Sequence, residues 1–188
     1  MDNSKYYFVE SKGDKAYPLV ASQNFTKVKF GKADILEVII RPPVPRKPVM
    51  ADFLSGSKDV FDKRITDVMQ SMNMEGVRFF PAEVDDTKGN IHNNYTCVYV
   101  DDNTYNLLDL EKSTYEVDDD DEDEIIYTAQ RVVIDRKKLN EIPLNKRLGM
   151  RLDEAPGYTL YHQSVVDAIM ALEPTGMYFQ DIENYEIL

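Results

Sequence analysis

The feature that most constrains this chain is a similarity between two of its own segments, 100 residues apart. Residues 60–80, VFDKRITDVMQSMNMEGVRFF, align without a gap with residues 160–180, LYHQSVVDAIMALEPTGMYFQ. In the first segment, apolar residues recur at the spacing of one helix face, at positions 61, 65, 68, 69 and 72, and the second segment repeats them 100 positions later. The pattern predicts two amphipathic helices, each with one buried stripe.

Each predicted helix has a start signal and a stop signal. Asp59 and Thr159 have side-chain oxygens that can accept hydrogen bonds from the free amides of a first helical turn. Gly76 and Gly176 follow the last apolar helical position, where glycine adopts positive φ without a Cβ clash. The strand-like segments VRFFPAEV and MYFQDIENYEI come next. We therefore expect each copy to be a helix, a glycine turn and a strand.

The similarity has two interpretations, which are duplication of this unit or coincidence between two ordinary amphipathic helices. The identities are few, because only three pairs stand out: Asp67 with Asp167, Gly76 with Gly176 and Phe79 with Phe179. Under either interpretation we expect a structural role for six residues of the units near 59–81 and 159–181: Phe61, Gly76, Phe79, Tyr161, Gly176 and Phe179.

Strand patterns dominate the rest of the chain. YTCVYV, a turn at residues 101–103 and YNLLDL predict an antiparallel meander, and YYFVES, ILEVII and EIIYTAQRVVID predict further strands, while RKKL suits a short helical turn. Four prolines within residues 41–48 predict a stiff extended connector, which also has the PxxP spacing of a polyproline ligand. We predict an α+β fold of antiparallel sheets and two amphipathic helices in one compact domain, with N-terminal strands and connector at 1–48 and the α+β part at 49–188.

The charge of the chain argues against nucleic acid as a partner. Lysine and arginine number 22 against 34 aspartate and glutamate residues, so the net charge is −12, and a phosphate backbone would be repelled. The chain has no apolar run long enough to span a membrane and no secretion signal at its start, and its lone Cys97 suits a reducing compartment. We expect a cytoplasmic protein that binds neither nucleic acid nor membranes.

Seven of the negative charges form one run, for which two roles are open. It lacks the alternating ligands and the central glycine of a calcium loop, so specific calcium binding is not expected. The run suits a solvated loop held open by its own repulsion, or an electrostatic contact that speeds encounter with a basic protein. The candidate partner-binding residues are Asp118, Asp119, Asp120, Asp121, Glu122, Asp123 and Glu124.

Residues that could carry catalysis are scarce. The chain has only two histidines, His92 and His162, both expected to be polar surface residues, and it contains no nucleophile elbow, phosphate loop or zinc-protease motif. Asp135 and Lys137 match part of a metal-dependent nuclease site, although Asp135 before RKKL equally suits a helix cap. We expect no catalytic residue, metal or cofactor. A metal-dependent hydrolase or nuclease using Asp135 and Lys137, and a non-catalytic adaptor, remain the alternatives.

Three phrases together resemble a known family. They are VFDKRITDVMQSMNMEGVRFFPAEV, NLLDLEKSTYE and YTLYHQSVVDAIMALEPTGMYFQDI, within residues 52–188. The chain resembles immunity family eleven of bacterial polymorphic toxin systems, although the acidic insert and the FQDIENYE ending depart from the family pattern. The resemblance implies a cytoplasmic protein that binds a cognate toxin and blocks its active site or assembly. Because many toxins that act on nucleic acid are basic, the acidity of the chain agrees with such a partner.

Overall fold

The computed structural model describes residues 4–101, 103–118 and 126–186. Within these residues the chain forms thirteen strands, five α-helices and one 3₁₀-helix. The strands are β1 (Tyr6–Ser11), β2 (Val20–Ser22), β3 (Leu36–Ile40), β4 (Phe53–Leu54), β5 (Asp59–Asp62), β6 (Val77–Asp85), β7 (Ile91–Val100), β8 (Thr104–Tyr105), β9 (Thr114–Asp118), β10 (Ile126–Arg131), β11 (Gly149–Leu152), β12 (Ala155–His162) and β13 (Met177–Asp181). The helices are α1 (Phe25–Lys29), α2 (Lys63–Ser71), α3 (Arg136–Glu141), α4 (Leu144–Arg147), α5 (Gln163–Met170) and the 3₁₀-helix Ile182–Asn184.

The predicted α+β class with antiparallel sheets and two amphipathic helices was wrong. The structure is mostly β, with 41% strand and 20% helix, and its two large sheets are mixed, since β3 lies parallel to β6 and β8 lies parallel to β11. The predicted helices begin too early in the sequence, since α2 starts at Lys63 and α5 at Gln163. Phe61 and Tyr161 fit the helical stripe, but they lie in β5 and β12, the strands that precede α2 and α5.

The larger sheet has six strands in the order β2-β3-β6-β7-β5-β4 and curls until its two edges meet. The amide of Val20 in β2 donates to the carbonyl of Ser55 after β4 at 2.9 Å, and Val20 forms a β-bridge with Gly56. A Cβ on Gly56 would lie 2.0 Å from the Val20 carbonyl oxygen, so this contact requires glycine. The curled sheet encloses a core that includes Leu36, Val84 and Cys97.

The second sheet has five strands in the order β13-β1-β12-β11-β8, and the β9–β10 hairpin contributes to the same core. The predicted meander was wrong at β8, which leaves β7 and pairs with β11. Asn103 explains the crossing. Its side-chain amide donates to the carbonyls of Glu75 and Gly149, and its own carbonyl accepts from the amide of Arg151 at 2.8 Å. These bonds direct the turn toward the second sheet.

Four consecutive elements recur in the same arrangement in both sheets. The first unit is β4-β5-α2-β6 and the second is β11-β12-α5-β13. In each unit another strand lies between the strands flanking the helix and runs antiparallel to both: β7 between β5 and β6, and β1 between β12 and β13. The registers also agree, because Asp62 pairs with Tyr95 as His162 pairs with Tyr6. Common descent of the two units stays a hypothesis, as does the predicted division at residue 48.

The helices of the two units begin and end alike. The prediction of Asp59 and Thr159 as caps was wrong, because the strands continue to Asp62 and His162, whose side chains accept from the amides of Arg64 and Ser164. His162 is therefore a buried capping residue, not the surface residue expected from the sequence. After each helix the chain turns through two positive-φ residues, Asn73 and Gly76 in the first unit and Glu173 and Gly176 in the second, and both glycines have φ of 75°.

A shared core joins the two units. It contains buried side chains of α2 and α5 and the fully buried rings of Phe61 and Tyr161, which meet edge to face with centroids 6.3 Å apart. Phe79 and Phe179 pack against the same core and are partly buried. The equivalent positions 61 and 161 are therefore in mutual contact, and the two units meet there.

Candidate functional site

A concave site of about 600 Å³ lies between the two units. Its walls are built from equivalent segments, namely residues 56–59 and 98–100 of the first unit and residues 156–159 and 9–11 of the second. The backbone walls match because β5 pairs with β7 in the same register as β12 pairs with β1. We call this site the inter-unit cleft.

The side chains of the inter-unit cleft do not follow the similarity of its backbone. Lys58 stands where the second unit has Tyr158, and Asp59 stands where it has Thr159. The Lys58 ammonium lies 4.5 Å from the ring centroid of Phe25, a cation–π contact that orients it. Arg151 donates to the carbonyl of Pro156. The cleft thus presents a lysine, an arginine and a carboxylate among aromatic rings, a mixture suited to binding polar groups.

Asp59 is a carboxylate of the inter-unit cleft whose pKa is raised. Its carboxylate accepts a hydrogen bond from the Tyr161 hydroxyl at 3.3 Å. Burial raises the pKa of Asp59 to about 6, although hydrogen bonds from Tyr161 and Thr159 and the charges of Lys58 and Arg151 favour the ionised form. A carboxylate held in this way can accept a cationic or hydrogen-bonding group from a partner. Sequence reasoning missed this site because it assigned Asp59 to a helix cap.

The predicted acidic run connects β9 to β10. Asp118 is the last residue of β9 and pairs with Ile126 of β10, while Asp119, Asp120, Asp121, Glu122, Asp123 and Glu124 lie outside the described residues. The base of the hairpin is fixed to the protein, since Ala129 is buried and its amide donates to the carbonyl of Glu154 at 2.9 Å. The partner-binding role of the run stays a prediction.

A second acidic feature lies on the outer face of the six-stranded sheet. Glu37 of β3 and Glu83 of β6 are register partners in neighbouring parallel strands, and both are exposed. Like charges placed side by side destabilise a sheet, and within the described part of the chain neither glutamate forms an ion pair. A partner that supplies positive charge would relieve this repulsion. The pair could not be recognised from sequence patterns, because the pairing of β3 with β6 was not predicted.

Asp135 and Lys137, the candidates for a metal-dependent enzyme, are placed by the start of α3. Asp135 caps the helix, and its carboxylate accepts from the amides of Lys137 and Lys138 at 2.9 Å and 3.2 Å. The predicted short helix after Asp135 is confirmed as α3. Across the described residues, no three or more histidine, cysteine, aspartate or glutamate side chains are grouped to hold a metal ion. His92 lies beside Asp86, with Nε2 to Oδ2 at 3.7 Å.

The fold and these sites define a mostly β protein with a polar inter-unit cleft and exposed carboxylates. Residues 37–184 match the model of the immunity protein family Imm11, so the chain belongs to that family. The family resemblance predicted from the sequence is thereby confirmed. No curated protein matches the chain. Within the described residues, no helix is long and apolar enough to cross a membrane.

Proposed function

We propose that this protein binds a cognate toxin in the cytoplasm and neutralises it by blocking the toxin's active site or its assembly. The observation that carries the proposal is the family match, which spans residues 37–184 and therefore both repeated units. The family implies a toxin-immunity role and a toxin protein as the partner. We infer inhibition by binding, without an enzymatic step of the protein's own.

The charge distribution supports a basic toxin as the partner. The chain carries a net charge of −12, and the exposed pair Glu37 and Glu83 adds an uncompensated acidic patch within the described residues. Complementary charge raises association rates, and salt weakens this effect by screening the charges. We propose that the acidic run from Asp118 to Glu124 contributes to this attraction.

The hydrolase alternative has less support from the geometry. The Asp135 carboxylate is engaged by two backbone amides of α3, and the Lys137 side chain is exposed. Calorimetric titration with Mg²⁺ or Mn²⁺ tests this alternative directly, and site-specific binding that disappears in Asp135→Asn would favour it. No observation favours the adaptor alternative over toxin binding.

The test of the proposal is protection of growing cells. Toxin domains encoded near this protein's gene in its native genome are the candidates, and each is expressed in a heterologous bacterium, with and without this chain. We expect growth to be restored only when the chain is present, and we expect the purified pair to co-elute as a complex. An unrelated toxin of another immunity pair serves as the control and should stay toxic. Undiminished killing by the cognate toxin, with the chain folded and abundant, would overturn the proposal.

The electrostatic part is tested on the same pair by stopped flow. Replacing residues 118–124 with serine and asparagine should slow association at low salt while leaving thermal stability unchanged, because rim charges act mainly on association. Replacing Glu37 and Glu83 with glutamine gives the comparison at the sheet face. An unchanged association rate in either variant would remove that patch from the proposed interface.

A further inference from the structure

A second concave site lies in the most basic part of the chain. It is a groove of about 660 Å³ between residues 15–19 and 41–47, and it shares no residue with the inter-unit cleft. Backbone hydrogen bonds close the groove at both ends: the amide of Arg41 donates to the carbonyl of Leu19 at 2.8 Å, and the amide of Val49 donates to the carbonyl of Ala16 at 2.9 Å. The proline-rich segment is therefore one wall of a formed site. We call it the proline groove.

The walls of the proline groove are apolar and exposed. Leu19 is 53% exposed and Val44 is 36% exposed, and prolines 42, 43 and 45 complete the lining. Lys88 fixes the segment from below, since its ammonium donates to the carbonyls of Pro45 and Arg46. Because its prolines restrict the backbone of this wall, the wall loses little conformational entropy when a ligand binds.

The rim of the proline groove carries positive charge that is not neutralised. Four cationic side chains line it, and within the described part of the chain none of them forms an ion pair: Lys15, Arg41, Arg46 and Lys47. The nearby carboxylate of Asp14 accepts from the amide of Ala16 at 2.8 Å and so caps its own turn. Nine basic and five acidic residues give residues 1–48 a charge of +4, in a chain whose total is −12.

We propose that the proline groove binds an extended acidic segment of a partner protein, with one apolar side chain inserted between Leu19 and Val44. The four rim cations attract the carboxylates, and the apolar walls receive the inserted side chain. A nucleic acid or an anionic membrane fits less well, because a large polyanion would also meet the negative charge of the rest of the chain. A short segment interacts mainly with charges within about 8 Å at physiological salt.

This inference goes beyond the proposed neutralisation of a toxin, and its test needs no toxin. The probe is a fluorescein-labelled peptide of nine residues, aspartate and glutamate with a central leucine, and its binding to the full chain is followed by fluorescence anisotropy at low and physiological salt. The double variant Arg46→Glu with Lys47→Glu should weaken binding roughly tenfold or more, since both rim charges are reversed. Exchanging the central leucine for serine should weaken binding several-fold.

The matched control is the double variant Lys137→Glu with Lys138→Glu, which makes the same charge change on two exposed lysines of α3. It should leave peptide binding within about twofold of the unmodified protein, because only local charge acts at the groove. Circular dichroism melts verify that each variant is folded. Equal weakening by both double variants, no binding of the peptide, or equally tight binding of a single-stranded oligonucleotide or of phosphatidylserine vesicles would each overturn the proposal.

Discussion

The two units share the order and register of their elements, yet they obtain their middle strands from different parts of the chain. In the first unit β7 follows β6 through a short connection, so the unit is completed by adjacent sequence. In the second unit the middle strand is β1, whose register partners in β13 lie about 170 residues away, as in the pair Val9 and Phe179. The first unit is built from local contacts, and the second closes only when the start of the chain reaches its end.

The comparison shows which parts of the arrangement are local and which are not. The turn after each helix is local, since Gly76 and Gly176 adopt the same φ of 75° in different surroundings. The middle strand is non-local, and strands so far apart in sequence must pay loop-closure entropy before they gain contacts. We therefore expect the second unit to depend on residues that the family match does not include, because that match begins at residue 37.

The largest expected effect comes from removing β1. Deleting residues 4–11 exposes the edges of β12 and β13 and removes the buried rings of Tyr6 and Phe8, so the loss should exceed the ~5–15 kcal/mol that stabilises a typical domain. Circular dichroism and thermal melts should show no cooperative unfolding of the truncated chain. Adding a synthetic peptide of residues 4–12 should restore a melting transition. A truncated protein that melts cooperatively without the peptide would show that the second unit does not need β1.

A helix, a turn glycine and a following strand were predicted for each unit, because helical periodicity and turn glycines are local signals. Both helices begin later than predicted, however, and the fold class drawn from them was wrong. The sequence could not predict the mixed sheets, since the pairing of β3 with β6 or of β1 with β13 depends on contacts between distant segments. The strands YYFVES and ILEVII were found correctly, as β1 and β3, but their neighbours were not.

The candidate sites divide in the same way. The acidic run was visible as a block of charge, and the proline-rich segment was visible as an extended connector. Asp59 was recognised only as a possible cap, because nothing in the sequence shows that β5 and β12 face each other across a cleft. The repulsive pair Glu37 and Glu83 was also hidden, because it exists only through strand pairing.

The next largest effect should come from truncating the paired rings of the shared core. Phe61→Ala and Tyr161→Ala should each cost ~3–5 kcal/mol, since both side chains are fully buried. The double variant should cost less than the sum, by about 0.5–1.5 kcal/mol, because the two rings contact each other. Urea unfolding of the three variants measures both quantities. Strict additivity, or a single-variant loss below ~1 kcal/mol, would contradict a core shared by the two units.

A smaller loss is expected at the two turn glycines. Alanine at φ of 75° costs about 1–2 kcal/mol in strain, and an added Cβ would lie 2.4 Å from the Asn103 side chain at Gly76 and 2.4 Å from the Ala51 Cβ at Gly176. We expect total losses of about 2–4 kcal/mol for Gly76→Ala and Gly176→Ala. Gly89→Ala is the matched control, since φ is 95° but nothing lies within 4 Å, so strain alone should appear. Losses in the turn glycines no larger than in Gly89→Ala would show that these sites relax freely.

The smallest effect distinguishes the units by pH. Asp59 of the first unit stands where the second has Thr159, and burial raises the pKa of Asp59 to about 6, above the ~3.9 of an unfolded aspartate. Asp59 therefore stays protonated to higher pH in the folded state than in the unfolded state. Its favourable contribution to the free energy of unfolding is complete below pH ~4 and is lost as the pH rises toward ~6. Because Asp59 is partly exposed to the cleft, we expect the free energy of unfolding to fall by only about 1–2 kcal/mol over this range.

Asp59→Asn should remove this slope, because the amide can still accept from Tyr161 and does not ionise. Compared with the unmodified protein, the variant should be about equally stable at pH 4 and about 1–2 kcal/mol more stable at pH 8, as measured by urea unfolding. Asp52→Asn is the opposite control: burial raises the pKa of Asp52, but hydrogen bonds from Arg64 and Thr175 outweigh burial and lower it. That variant should be less stable than the unmodified protein at pH 8, and the difference should shrink in acid. If Asp59→Asn keeps the dependence of the free energy of unfolding on pH seen in the unmodified protein, that dependence arises elsewhere. The ionisation of Asp59 would then not distinguish the first wall of the cleft from the second.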